Sequence, residues 1–189
     1  TTDEQALLKT DQSKSPQDCS RDGRLLLFTT LDPKTGSDLW VMPLAGGAKP
    51  LPVIQTGADE FQGQFSPDGH WIAYVSNESG VNEVYVRAFN SSLAGGSASV
   101  GGSFLVSRGG GSAPRWRRDG KELFFVAPDD RLMAVAVDAG SAFRAAAPTP
   151  LFQTPSGTIV GDVTADGQRF LMVQSGVAPF TVVVNWLRK

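Results

Sequence analysis

The chain has 189 residues, enough for one domain with its own core. Hydrophobic residues make up 41% and the formal net charge is −2 at pH 7, which argues against a disordered tail and against the basic surface that nucleic-acid binding requires. One cysteine rules out an internal disulfide, and no run of about 18 apolar residues is present to cross a membrane as a helix.

In chain order, the first recognisable segment is 6–10, with Leu7 and Leu8 followed by Thr10. Twelve residues after Thr10 comes the pair Asp22-Gly23, then an apolar run at 24–30 (RLLLFTT) and a second at 38–44 (DLWVMPL). The same series then repeats. Val53-Ile54 and Thr56 precede Asp68-Gly69, HWIAYVS (70–76) and EVYVRAF (83–89). Phe104-Leu105 and Ser107 precede Asp119-Gly120, KELFFVA (121–127) and RLMAVAV (131–137). Leu151-Phe152 and Thr154 precede Asp166-Gly167, QRFLMVQ (168–174) and FTVVVNW (180–186). The aspartates are 46, 51 and 47 residues apart.

Each copy reads as four short strands. The third and fifth residues after each glycine are large and apolar (Leu26, Ile72, Leu123, Phe170; Phe28, Tyr74, Phe125, Met172), a period of two that marks one face of a strand. In Ser66-Pro67-Asp68-Gly69, proline presets φ, aspartate bonds nearby backbone, and glycine takes the left-handed conformation that re-enters a strand. Four antiparallel strands recurring at this period predict an all-β fold, a β-propeller of four four-stranded blades. The expected unit is a single domain over 1–189, with repeats near 11–56, 57–107, 108–154 and 155–189 plus the strand 6–10. With strands named a to d outward from the hub, 6–10 is a d strand expected to lie beside 180–186 and close the ring. A four-bladed ring, half of a larger propeller and half of a dimeric one all remain open.

The stretch FSPDGHWIAYVSNESGVNEVYVRAF (65–89) resembles the WD-like propeller repeat of the TolB-type family. DLWVMPL (38–44), the run at 109–116 and VVVNW (182–186) resemble the propeller part appended to some bacterial serine/threonine kinases. The resemblance implies a bacterial recognition module, a sensor or docking domain of a larger protein. It would be periplasmic or extracytoplasmic if that protein is membrane-anchored. Family members usually have six or more blades, so a larger propeller is one expectation. The first residue, Thr1, agrees with a processed or excised piece. No kinase motif and no signal peptide is visible.

No residue set for catalysis stands out, so the expectation is a non-enzyme without cofactor or metal. His70 is the single histidine and shares its slot with Arg24, Lys121 and Gln168, which suggests solvent exposure. One histidine and one cysteine cannot assemble a zinc site, and Cys19 is expected to be buried. The Asp-Gly aspartates and Asp129-Asp130 read as turn formers rather than cation ligands. Trp116 falls in a core slot with Cys19, Phe65 and Val163, while Arg115 and Arg117 would face a neighbouring blade or the hub. The Gly-rich stretch 91–102 reads as a flexible loop.

A protein or peptide is the expected partner, with a homodimer as an alternative. The candidate contacts lie on the rim carrying the d-to-a and b-to-c loops: Lys34, Asp59, Glu60, Glu78, Asn82, Arg108 and Asp130. Two other functions stay open: a self-assembling structural piece, and the propeller part of a hydrolase or of a metal-dependent enzyme.

Overall fold

The computed structural model describes residues 7–45, 48–90, 92–93, 98–140, 142–174 and 181–183. Sixteen strands and no helix occur among them, and every pairing is antiparallel. The first blade is β1 (Lys14–Cys19), β2 (Leu25–Asp32), β3 (Gly36–Pro43) and β4 (Leu51–Ile54), paired in that order. The second is β5 (Glu60–Phe65), β6 (Trp71–Ser76), β7 (Glu83–Phe89) and β8 (Ser99–Leu105). The third holds β9 (Ser112–Trp116), β10 (Glu122–Val126) and β11 (Arg131–Ala139). Its outer layer is split between β12 (Phe143–Ala145) and β13 (Thr149–Gln153), which pair with different halves of β11. The fourth holds β14 (Thr158–Val163), β15 (Phe170–Gln174) and β16 (Thr181–Val183).

The blades form because each Asp-Gly pair makes the same a-to-b turn. The glycines sit at φ of 70 to 73°, where any Cβ would be strained. Each aspartate Oδ1 accepts the N–H two residues on, at 3.0–3.1 Å in Asp22, Asp68, Asp119 and Asp166. A hydroxyl from Ser20, Ser66 or Thr164 donates to the same carboxylate; in the third blade Arg117 does so instead.

Blades are held together by three apolar cores, one per interface. Leu25, Leu27, Leu39, Val41 and Val53 of the first blade meet Phe65, Ile72, Tyr74 and Tyr85 of the second. Trp71, Ala73, Val75 and Val86 meet Trp116, Leu123, Phe125 and Val135. Phe124, Val126, Leu132 and Ala134 meet Val160, Phe170 and Met172. The period-two positions are therefore backward-facing, toward the preceding blade, and the residues between them are forward-facing. The inner strands β1, β5, β9 and β14 pack successively, as a hub requires, while no comparable packing joins β14–β16 to β1–β4 among the described residues.

Three expectations are corrected. Residues 7–10 form no strand, and Leu7 is 62% exposed; Ala6 and most of 180–186 lie outside the described residues. Among the described residues the fourth sheet holds three strands, and the rest of its expected pairing lies outside them. Cys19 is exposed rather than buried, because among the described residues no neighbouring blade packs over its slot as the first and second blades do over Phe65 and Trp116. The Gly-rich stretch is not all loop: β8 begins at Ser99, pairing Ser99 with Phe89 and Val100 with Ala88. Gly101 and Gly102 fall where the register shifts between Ala88 and Arg87, a bulge that Gly101 accommodates at φ 75°. Trp116 is buried and His70 exposed, as expected.

Candidate recognition surface

The d-to-a and b-to-c loops share one rim, opposite the Asp-Gly turns. The hydroxyl residue found before the second, third and fourth Asp-Gly pairs locks the corner where strand d gives way to the next blade. Thr56 Oγ1 donates to Glu60 and accepts the Ala58 N–H. Ser107 Oγ donates to Glu83 and accepts the Val84 N–H at 2.7 Å. Thr154 Oγ1 donates to the Asp130 carbonyl at 2.7 Å. Side-chain bonds of this kind give a loop a fixed shape on which exposed neighbours can be displayed.

Two groups of candidate residues result. In the first, Asp59 ties the loops that carry Lys34 and Glu78. Its Oδ1 accepts the Ser37 N–H at 2.9 Å, its Oδ2 accepts Asn77 Nδ2 at 3.1 Å, and its own N–H donates to Asn77 Oδ1 at 2.9 Å. Gly36, at φ 86°, is where the loop passes over this carboxylate; a Cβ there would lie 2.5 Å from Asp59 Oδ1. In the second group, the Gly111 N–H donates to the Asn82 carbonyl at 2.8 Å and the Gly109 N–H to Glu83 Oε1 at 2.8 Å, holding the Arg108 loop. Gly110 abuts Pro128, which brings the turn containing Asp130 alongside. Asp130 itself occupies the left-handed region at φ 61°.

Lys34, Glu78, Asn82 and Arg108 are exposed, and Asp59 and Asp130 are half-buried. Glu60 is different: it is fully buried in β5, so it supports the rim and is not available for contact. Burial raises its carboxyl above the usual range, the Thr56 hydroxyl opposes this, and Asp38 adds to it.

The hub carries a feature that the sequence reading did not assign. One polar side chain from each of the first three inner strands reaches the backbone of the next. Asp18 Oδ2 accepts the Phe65 N–H at 2.9 Å, Gln64 Oε1 accepts the Trp116 N–H at 2.8 Å, and Arg115 Nε donates to the Gly161 carbonyl at 2.9 Å. Gln62 adds a bond to the Ala113 N–H at 2.7 Å. Burial raises the Asp18 carboxyl above its ordinary value, against the lowering effect of the Phe65 and Cys19 N–H groups and Arg115. Burial likewise lowers the Arg115 guanidinium, which Asp18 and Asp162 counter. The signal was present: a polar residue stands four before every Asp-Gly aspartate (Asp18, Gln64, Arg115, Asp162). Arg117, in contrast, turns to the rim and pairs with Asp119 and Glu122.

A groove of about 1170 Å³ opens on the Asp-Gly rim between the first two blades, floored by Leu25, Leu51, Phe65 and Phe89 with Arg21 and Arg24 at its edge. Ala45, Ala48, Ser92 and Leu93 also line it, and no site is assigned to it. Among the described residues no group of three or more His, Cys, Asp or Glu side chains is placed to hold a metal ion. No helix there is long and apolar enough to cross a membrane.

No family model matches the sequence, and no curated protein matches it. Its fold is shared with solved structures. TolB from Acinetobacter baumannii is 18% identical with a TM-score of 0.65, over 93% of this chain and 41% of that one. The periplasmic gluconolactonase of Pseudomonas aeruginosa is 18% identical with a TM-score of 0.56, over 82% and 48%. The β-propeller domain of Swd1 from Myceliophteria thermophila is 10% identical with a TM-score of 0.54, over 84% and 53%. The chain therefore has the β-propeller fold, TolB-like in architecture, and spans about half the length of these proteins. At such identities the likeness defines the fold alone.

Proposed function

We propose that this chain is a non-catalytic propeller module that recognises a protein or peptide across the rim of d-to-a and b-to-c loops. The observation that carries the proposal is the fixed display of Lys34, Glu78, Asn82 and Arg108, exposed side chains of mixed charge on loops whose backbones are pinned by Asp59, Glu83 and the corner hydroxyls. A rigid scaffold lowers the entropy lost on binding. In a longer bacterial protein, such as the kinases whose appended propellers the sequence resembles, the module would serve as a sensor or docking domain.

A random-peptide display library selected on the 189-residue chain tests this reading. Selected peptides should lose tenfold or more in affinity with Glu78→Ala or Arg108→Ala and be unaffected by Lys121→Ala on the opposite rim. Binding that depends on Lys121 and ignores Glu78 and Arg108 would move the site elsewhere.

A second reading, self-association of the chain as a homodimer, is supported by a separate observation. Leu171 is 41% exposed, whereas Leu27, Ala73 and Phe124, its counterparts in the other blades, are fully buried. Sedimentation equilibrium on the chain is its direct test.

A further inference from the structure

Every internal blade interface uses the same parts. A forward face covers the backward face of the next blade, a hub side chain bonds the next inner strand, and a d strand completes one sheet before the chain enters the following blade. Three of these parts recur in the chain without their counterpart among the described residues.

The forward face of the fourth blade is one. Ile159 is 48% exposed and Leu171 41%, and Val173 is half-buried. The same register positions in the second blade, Phe61, Ala73 and Val75, belong to the core shared with the third blade. The hub acceptor is another. Asp162 Oδ1 accepts the Val163 N–H at 2.7 Å, just as Asp18 Oδ1 accepts the Cys19 N–H at 2.9 Å. Asp18 then receives the Phe65 N–H on its second oxygen; no N–H from a following inner strand reaches Asp162 among the described residues. The sheet edge is the third: β16 has β15 on one side and no outer partner among the described residues.

The chain also carries the complementary pieces. On the backward face of the first blade, Cys19 is exposed and Leu26 half-buried, where Ile72, Leu123 and Phe170 are fully buried; Phe28 and Met42 on that face are already covered. Residues 7–10 have the spacing of a d strand, Leu7-Leu8 matching the buried pair Val53-Ile54 and Thr10 matching Thr56, yet they lie in no sheet.

We infer that two copies associate head to tail, the fourth blade of each covering the first blade of the other and taking residues 7–10 of that copy as its outer strand. This rests on the self-association reading and specifies its interface. The connection copies the one between β4 and β5, in which a d strand of one sheet leads directly into the next blade. Two identical contacts then close a ring of eight blades, within the range that propellers adopt. Asp162 of each copy would lie beside the Cys19 N–H of the other, sharing it with the Asp18 carboxylate that holds it within the chain.

Sedimentation equilibrium of the 189-residue chain should give twice the chain mass, and Leu171→Arg should weaken the dimer at least tenfold. Hydrogen exchange at residues 7–10 should be slow in the dimer and fast in the Leu171→Arg protein. Should that variant misfold, Asp162→Cys replaces it: oxidation should link the new thiol to Cys19 between chains, seen as a dimer on non-reducing gels. A monomer at every concentration overturns both the interface and the self-association reading. A dimer whose residues 7–10 exchange freely overturns the strand exchange while leaving self-association standing. A disulfide formed within one chain shows that the ring closes on itself and overturns the head-to-tail arrangement. Open polymers overturn the two-fold closure.

Discussion

Leu27 and Leu171 occupy the same register position in the first and fourth blades, so truncating each to alanine isolates what a neighbouring blade contributes. Leu27 is fully buried, and the backbone of the second blade lies directly under it: a Cβ at Gly63 would stand 2.7 Å from Leu27 Cδ2 and 2.9 Å from Leu39 Cδ2. A strand held that tightly has little room to collapse into a void. Leu27→Ala should therefore sit in the middle of the usual range for buried leucine, about 3–4 kcal/mol. Leu171 is 41% exposed and would leave no closed cavity; about 1 kcal/mol is expected from its smaller buried area. Urea unfolding followed by tryptophan fluorescence and far-UV circular dichroism measures both. With slopes of about 1–3 kcal/mol per molar, Leu27→Ala moves the midpoint by roughly 1–4 M and Leu171→Ala by roughly 0.3–1 M. The comparison belongs at protein concentrations too low for copies to associate. Equal losses from the two variants there would mean that the forward face of the fourth blade is covered like the others, and the blade-stacking account would fail.

Three further outcomes are expected. Asp18→Ala strands the Phe65 N–H at the hub and should cost about 1–3 kcal/mol, with faster exchange of the Phe65 amide; Asp18→Asn keeps an acceptor and should cost less, and equal losses from the two would deny the bond any role. The Asp119 carboxyl is held down at about 2, chiefly by Arg117, with burial opposing and the Lys121 N–H assisting. A carboxyl lowered in the folded state stabilises fully above its unfolded value near 4 and loses that contribution as pH falls toward 2. Asp119→Asn should flatten the melting-temperature decline between pH 4 and 2, and an unchanged decline would count against the turn ion pair. Tyr74 is pushed up to about 12 by burial, its hydroxyl 2.6 Å from that of Ser103. A phenol raised in the folded state stabilises below pH 10 and loses that contribution between 10 and 12. Tyr74→Phe should therefore blunt alkaline unfolding in that window; identical alkaline profiles would remove Tyr74 as its cause.

The candidate surface was legible in part. Loop positions follow from the repeat, so the rim that carries Lys34, Glu78, Asn82 and Arg108 could be named from spacing alone. Glu60 could not be placed that way. It stands one residue beyond Asp59 but inside β5, and alternation turns it into the interface, where the Thr56 hydroxyl meets it. Of the hub residues only Arg115 was expected to face the hub or a neighbouring blade, and the shared role was missed for a related reason. Asp18, Gln64 and Arg115 differ in charge and type, and their common role appears only when the next inner strand presents a backbone N–H or carbonyl to each.

The repeat by itself determined the class of fold: Asp-Gly turns at fixed spacing and period-two apolar runs admit little besides stacked four-stranded sheets, because turn geometry and strand alternation are local properties of the chain. Burial is not local. Cys19, Phe65 and Trp116 share one slot, yet Cys19 is exposed and the other two are buried. Leu27 and Leu171 share another and differ in the same way. Only the tertiary structure decides such cases, since the water that each side chain loses depends on whether another blade stands opposite it.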